Sequence, residues 1–116
     1  MRAATKAPAI GPRELDTIQG IFGLSDAELA KLFGVSRAAV AKWRVRGVPV
    51  ERVAEVDRVS ELATYFRRRF IPARIPQIVR NPGKGLAGKS VLQTLAQHGV
   101  EPVYAYLEQL FSYTLR

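Results

Sequence analysis

The chain has 116 residues, with 18 Lys and Arg against 10 Asp and Glu, a formal net charge of +8, and no cysteine. These values exclude disulfide bridges and thiolate metal sites, and they predict one ordinary domain, or two small ones, with a polyanionic or acidic partner. No segment has the character of a signal peptide or a membrane span, so we expect a cytoplasmic protein.

The first predicted element is a helix that begins at Pro12 and ends near Phe22, because proline suits a first helical position and Gly23 follows. Residues 1–12 are rich in alanine and proline and predict a disordered tail. A basic arm that enters a DNA minor groove is the alternative for this tail.

Residues 26–45, DAELAKLFGVSRAAVAKWRV, have the pattern of a helix-turn-helix. Ser25 begins the first helix and forms a capping box with Glu28. Gly34 lies at the turn, where a positive φ is easiest without a Cβ, and Ser36 caps the second helix. Small or apolar residues occupy the positions that face inward from both helices: Leu29, Ala30, Phe33, Val35, Val40 and Trp43.

The second helix of this pair carries basic side chains and no acidic one. Such a helix is expected to enter a DNA major groove, with Arg37 and Lys42 toward the bases and Arg44 and Arg46 near phosphates. The alternative is an amphipathic helix pair in an ordinary bundle, which needs the same inward residues. The predicted DNA-binding residues are Ser36, Arg37, Ala38, Lys42, Arg44 and Arg46.

A long helix is predicted from about Val50 to Phe70, after Gly47 and Pro49. Apolar residues recur along it every three to four positions, which indicates one buried face. They are Val53, Val56, Val59, Leu62 or Ala63, Phe66 and Phe70.

The composition changes at Ile71, and prolines then divide the chain into short helices. We predict a helix from Pro76 to Arg80, one that begins at the capping box of Ser90 and ends at His98, and a last one from Pro102. The last helix should turn one face inward, formed by Val103, Tyr106 or Leu107, Leu110 and Phe111. No stretch alternates like a strand, so the chain is predicted to be all-α.

Residues 83–90, GKGLAGKS, match the nucleotide-binding P-loop pattern letter for letter. A P-loop also needs a buried strand before it and an acidic partner for Mg²⁺, but prolines precede this segment closely and residues 91–116 contain no Asp. We therefore interpret it as a glycine-rich loop that ends at a helix N-cap. No nucleophile is paired with a base, so we expect a binding protein and not an enzyme, with no cofactor and no metal.

The stretch from Arg74 to Tyr113 resembles the toxin-binding domain of the Xre/MbcA/ParS antitoxins. That family has an R-I-P or W-L segment, a proline turn, the pattern L-G-G-[RK]-[ST]-x-L, and a helix that ends in E-x-V-x-x-x-L. The corresponding segments here are Arg74–Pro76, Asn81-Pro82, Leu86–Leu92 and Glu101–Leu107. Ala87 stands where the family commonly has glycine. The N-terminal half is similar to the Xre-type helix-turn-helix that precedes this domain in the family.

The resemblance implies the antitoxin of a type II toxin–antitoxin system. It implies a RES-domain toxin that consumes NAD⁺ as the partner, promoter DNA as the second ligand, and a homodimer within a toxin–antitoxin hetero-oligomer. The domains would then be a tail (1–12), a DNA-binding region with a long connecting helix (13–70) and a toxin-binding domain (71–116).

The chain end is the predicted toxin contact, because aromatic and arginine side chains dominate interfaces. The residues are Tyr113, Thr114, Leu115 and Arg116. A solvated end is the alternative. For the whole chain, the alternative to an antitoxin is a stand-alone transcriptional regulator whose C-terminal module dimerises it.

Overall fold

A computed structural model describes residues 10–114, with residues 113 and 114 described by their backbone alone. In this part of the chain every regular element is helical, which confirms the all-α prediction. The α-helices are α1 (Pro12–Phe22), α2 (Asp26–Leu32), α3 (Arg37–Arg46), α4 (Val50–Arg69), α5 (Ile75–Ile78), α6 (Val91–His98) and α7 (Glu101–Thr114). Two 3₁₀ turns, Pro72–Arg74 and Lys84–Leu86, lie before and after α5. None of the helices in the described range combines the length and apolar character needed to cross a membrane.

Local caps set the helix ends where the sequence predicts them. Gly23 ends α1 with a φ of 68°, a left-handed conformation that favours glycine. At the start of α2 the Ser25 hydroxyl accepts from the Glu28 amide at 3.1 Å, and the Glu28 carboxylate accepts from the Ser25 amide at 2.9 Å. The Ser36 hydroxyl accepts from the Ala39 amide at 3.1 Å and so begins α3. These three predictions are confirmed.

The centre of the core lies between α1 and α4, which pack along each other. Leu15, Ile18 and Phe22 of α1 are fully buried, and the rings of Phe22 and Phe66 meet edge to face with centroids 5.4 Å apart. Burial of one such side chain contributes about 1.5–3 kcal/mol. The predicted stripe of α4 is confirmed, with these residues buried: Val56, Val59, Leu62, Ala63 and Phe66.

The same core cluster continues into the C-terminal half, where it includes residues of α5, α6 and α7. Helix α6 packs on α2 and on α7, and α5 packs on α1. The predicted boundary near residue 71 therefore falls within one continuous apolar core. The division into a DNA-binding and a toxin-binding domain stays a prediction about function.

Arg80 ties the C-terminal half to the end of α1. Its guanidinium donates to the carbonyl of Phe22 at 3.2 Å, of Gly23 at 2.6 Å and of Pro76 at 2.7 Å. It also forms an ion pair with Glu28, with contacts of 2.8 and 3.2 Å to the two carboxylate oxygens. One side chain thus holds α1, α2 and α5 together.

The two ends of one predicted helix were wrong, the first by one residue and the second by two. The helix predicted from Pro76 to Arg80 is α5, which begins one residue earlier and ends at Ile78, after a 3₁₀ turn. A proline fits within the first turn of a helix because its missing N–H has no helical partner there, so Pro76 does not mark the first residue.

Leu110, predicted on the inward face of α7, is 37% exposed, whereas Val103 and Leu107 are buried.

The end of the predicted tail is part of the packed structure. The Val48 amide donates to the Ile10 carbonyl at 2.7 Å, and Gly11 is buried beside the Val48 side chain. A Cβ at Gly11 would lie 2.1 Å from a Val48 methyl carbon, so only glycine fits there. Disorder was therefore the wrong prediction for Ile10 to Pro12, and its application to residues 1–9 lies outside the described residues.

Candidate functional site

Helices α2 and α3 are joined by a tight turn that sets the position of α3. Gly34 adopts a φ of 67° in this turn, and its amide donates to the Lys31 carbonyl at 3.1 Å. The rings of Phe33 and Trp43 meet at 6.1 Å between centroids. Arg52 of α4 stacks over Trp43 at 5.9 Å and donates to the Phe33 carbonyl at 2.9 Å. The position of the turn and of the inner face of α3 is therefore fixed by contacts within the turn, by the ring of Phe33 and by Arg52 of α4.

The outward face of α3 is basic at its edges and short-sided at its centre. Successive helical residues are rotated by about 100°, so the buried Val40 and Trp43 define the inner side. The opposite side carries the exposed Ala38, Ala41 and Val45, and exposed cations lie next to it. We call this surface the α3 face: Arg37, Ala38, Ala41, Lys42, Val45 and Arg46.

Of the six predicted DNA-binding residues, the structure brings Arg37, Ala38, Lys42 and Arg46 together on the α3 face. Ser36 lies just before it, and its hydroxyl is used as the N-cap of α3. Its side chain therefore positions the helix, and its exposed location leaves it at the border of the face.

Arg44 differs from the other predicted residues because its guanidinium turns toward α1 and α2. It forms an ion pair with Asp16, donates to the Gln19 side chain, and lies 4.0 Å from Asp26. These contacts give Arg44 a structural position between α3 and α1. Two of its guanidinium nitrogens donate within the protein, and its contact with a phosphate stays a prediction.

The charge distribution around α3 favours a polyanionic ligand. Helix α3 itself has no acidic residue. The nearby Asp16 carboxylate pairs with Arg44, and the Asp26 carboxylate accepts from the Gln19 side chain at 2.8 Å and lies 4.0 Å from Arg44. Arg37, Lys42 and Arg46 therefore face solvent without an acidic neighbour on their own helix. A DNA backbone presents phosphates at regular spacing, with which these three cations can pair.

The loop that matches the P-loop pattern is closed by its own hydrogen bonds. The Gly83 amide donates to the Lys89 carbonyl at 3.0 Å, and the Gly88 amide donates to the Gly83 carbonyl at 3.1 Å. The Lys89 ammonium donates to the side chain of Gln97. A Cβ at Gly85 would lie 2.5 Å from the Tyr106 ring, so the absence of a side chain at this position leaves room for that ring.

Ser90 of this loop is the N-cap of α6, as predicted. Its hydroxyl accepts from the Gln93 amide at 3.1 Å, its own amide donates to the Gln93 side chain at 2.9 Å, and it is 6% exposed. The polar groups of Ser90 in this loop are thus used to begin helix α6. No strand precedes the loop within the described residues.

We therefore expect Ser90→Ala to lower the free energy of unfolding by about 0.5–2 kcal/mol through loss of the cap. Ser112→Ala, an exposed serine within α7, is the matched control and should change stability little. Urea unfolding followed by circular dichroism measures both. We also expect no Mg²⁺-dependent ATP binding, and micromolar ATP affinity abolished by Lys89→Ala would contradict this interpretation.

The aromatic residues of α7 divide between the core and the chain end. Tyr104 meets Tyr65 with centroids 5.7 Å apart, and Phe111 meets Phe70 at 5.5 Å. Tyr106 packs over the glycines of the loop before α6. Three of the four aromatic side chains are therefore used within the protein. Of the predicted toxin contacts, Tyr113 and Thr114 end α7 by their backbone, while Leu115 and Arg116 lie outside the described residues.

Comparison of the chain with protein-family models, with curated proteins and with solved structures gives no match.

Proposed function

We propose that this chain is a DNA-binding antitoxin of a type II toxin–antitoxin system. In this proposal α2, the turn and α3 act as an Xre-type helix-turn-helix that binds the promoter of its own operon. Residues 71–116 bind a RES-domain toxin that consumes NAD⁺ and cover its active site. The chain acts by binding, in the cytoplasm, as a homodimer within the toxin–antitoxin complex.

The single observation that supports the DNA-binding half is the α3 face. Its three exposed cations surround small side chains, so a backbone or a base edge can approach the helix closely. This combination suits a recognition helix. Contacts with phosphates supply affinity, and short side chains allow the helix to lie close to the base edges in the major groove. A helix that only packs within a bundle does not require an exposed face free of acidic residues.

The toxin-binding half rests on the resemblance of residues 74–113 to the antitoxin domain. The structure is compatible with it, since the Gly-Lys-Ser segment forms a loop-to-helix turn and the Glu101 segment begins the last helix. The proposed contact residues remain Tyr113, Thr114, Leu115 and Arg116.

Binding to promoter DNA tests the first half directly. We expect the chain to bind a duplex from upstream of its own reading frame more tightly than a shuffled duplex of equal composition, measured by fluorescence anisotropy. The logarithm of the association constant should fall linearly with the logarithm of salt concentration, by about 0.9 per phosphate contacted. Equal affinity for the two duplexes, or no binding at low salt, would contradict promoter recognition.

Deletion of residues 113–116 tests the proposed toxin contact. The shortened chain should fold and bind promoter DNA like the full chain, because the aromatic contacts of Tyr104, Tyr106 and Phe111 are retained. It should protect cells less well against the toxin, measured as growth during co-expression. Full protection by the shortened chain would show that another surface neutralises the toxin.

A further inference from the structure

Val45 is a large apolar side chain on the outward side of α3, near its C-terminal end and among exposed basic side chains. It is 80% exposed, and its nearest neighbours along the helix surface are Ala41 and Lys42. Exposure of a valine leaves apolar area in water that burial would otherwise stabilise. Its position on the α3 face suggests that a ligand covers it.

We propose that Val45, with Ala41 one turn and Ala38 two turns before it on the same side of α3, reads the C5-methyl groups of thymines in the major groove. This inference rests on the proposed DNA-binding function and names the base that the α3 face selects. All three side chains end in methyl groups, which neither donate nor accept hydrogen bonds. The thymine methyl is the only apolar group that a base presents in the major groove, so it is the matching partner.

The flanking residues fit this assignment. Arg37 and Lys42 lie at the edges of the face, where they reach phosphates or guanine acceptors on either side of the apolar centre. The selected site should therefore contain thymine opposite the C-terminal half of α3, where Ala41 and Val45 lie. Its flanks are free to carry other base pairs.

A second copy of this chain is the other surface that could cover Val45. A two-fold contact through Val45 would place the same surface of each protomer against the other. Arg37, Lys42 and Arg46 would then meet their own copies with no acidic residue of α3 between them. The resulting repulsion opposes such a dimer, whereas DNA phosphates attract the same cations.

The test uses duplexes selected by the full chain from a pool with a randomised central segment. Each thymine of the selected duplex is replaced in turn by deoxyuridine, which removes only the methyl group. We expect at least one replacement to weaken binding about fourfold, the effect of losing one buried carbon. Val45→Ser, which removes both γ-methyl groups of the side chain, should abolish the difference between thymine and deoxyuridine at one position.

Val50→Ser is the matched control, because Val50 is 86% exposed but lies on α4. It should retain the full thymine preference. Equal affinity for thymine and deoxyuridine at every position would overturn the inference while leaving DNA binding in place, and so would a preference that Val45→Ser does not alter. If Val45→Ser instead weakens self-association in sedimentation experiments, Val45 contacts a second copy, which would overturn the inference. Absence of any selected duplex would contradict the proposed function itself.

Discussion

Replacement of Arg80 by alanine is expected to lower the free energy of unfolding by about 2–3 kcal/mol, because several charge-assisted hydrogen bonds are lost together. The carbonyls of Phe22 and Gly23 at the end of α1 lose their donor, and Glu28 loses its cation. A cation at this helix end also interacts favourably with the helix dipole. The measurement is urea unfolding at neutral pH.

Arg80→Lys separates charge from geometry in this network. A lysine keeps the positive charge but has no planar fork for two carboxylate oxygens and several carbonyls, so most of the loss should remain. Arg68→Ala, at an exposed arginine near the end of α4, is the control and should change stability by less than about 0.5 kcal/mol. A loss for Arg80→Ala as small as for Arg68→Ala would show that the network contributes little.

The same ion pair predicts a dependence of stability on pH. The hydrogen bonds from Arg80 and from the Ser25 amide lower the pKa of Glu28 in the folded chain below its usual value of 4.5. A carboxyl with a lowered folded pKa stabilises the fold above its unfolded pKa, and this contribution is lost as pH falls through the folded value. Glu28→Gln should therefore reduce the loss of stability below pH 4.5, with a modest effect because Glu28 is partly exposed. An unchanged acid-unfolding profile would contradict this.

The second large effect is expected for the combined variant Arg37→Ala and Lys42→Ala. Each residue should contribute about 1–3 kcal/mol to binding if it contacts a base, and their joint loss should weaken promoter binding at least about 30-fold. Both side chains are exposed, so folding should be unaffected. Anisotropy titrations at one stated salt concentration measure the change.

Arg67→Ala with Arg68→Ala is the matched control, since it removes the same charge from exposed arginines of α4. This control should weaken binding only through the change in net charge, by a similar factor for promoter and shuffled duplexes. Equal effects of the two double variants would mean that α3 contributes charge alone. The α3 face would then not be the recognition surface.

The helix ends were predictable because their causes are local in sequence. Ser25 and Ser90 each lie three residues before the side chain that completes the capping box. The contacts of Arg80 could not be predicted from local spacing, because its partner Glu28 is 52 residues away and its other acceptors are backbone carbonyls. Only the fold brings those groups together.

The residues of the candidate DNA surface could be predicted from the sequence, whereas the direction of each side chain was harder to predict. Arg37, Lys42 and Arg46 were identified from charge and spacing, and they lie on one face. Arg44 belongs to the same basic run, yet it lies nearer the core side of α3 and meets Asp16 of α1. Val45 was not identified because an apolar residue in a helix ordinarily indicates a core position. Its exposure follows from the position of Trp43, which fixes the inner side.

Growth of cells that express the neighbouring toxin frame, with and without this chain, tests the antitoxin proposal most directly. We predict that the toxin alone arrests growth and that co-expression of the full chain restores it. The Arg37→Ala and Lys42→Ala variant should also restore growth when expressed from an independent promoter, because toxin binding is proposed to lie in residues 71–116. Continued arrest in the presence of well-expressed full chain would contradict the proposal, and together with intact promoter binding it would indicate a stand-alone regulator.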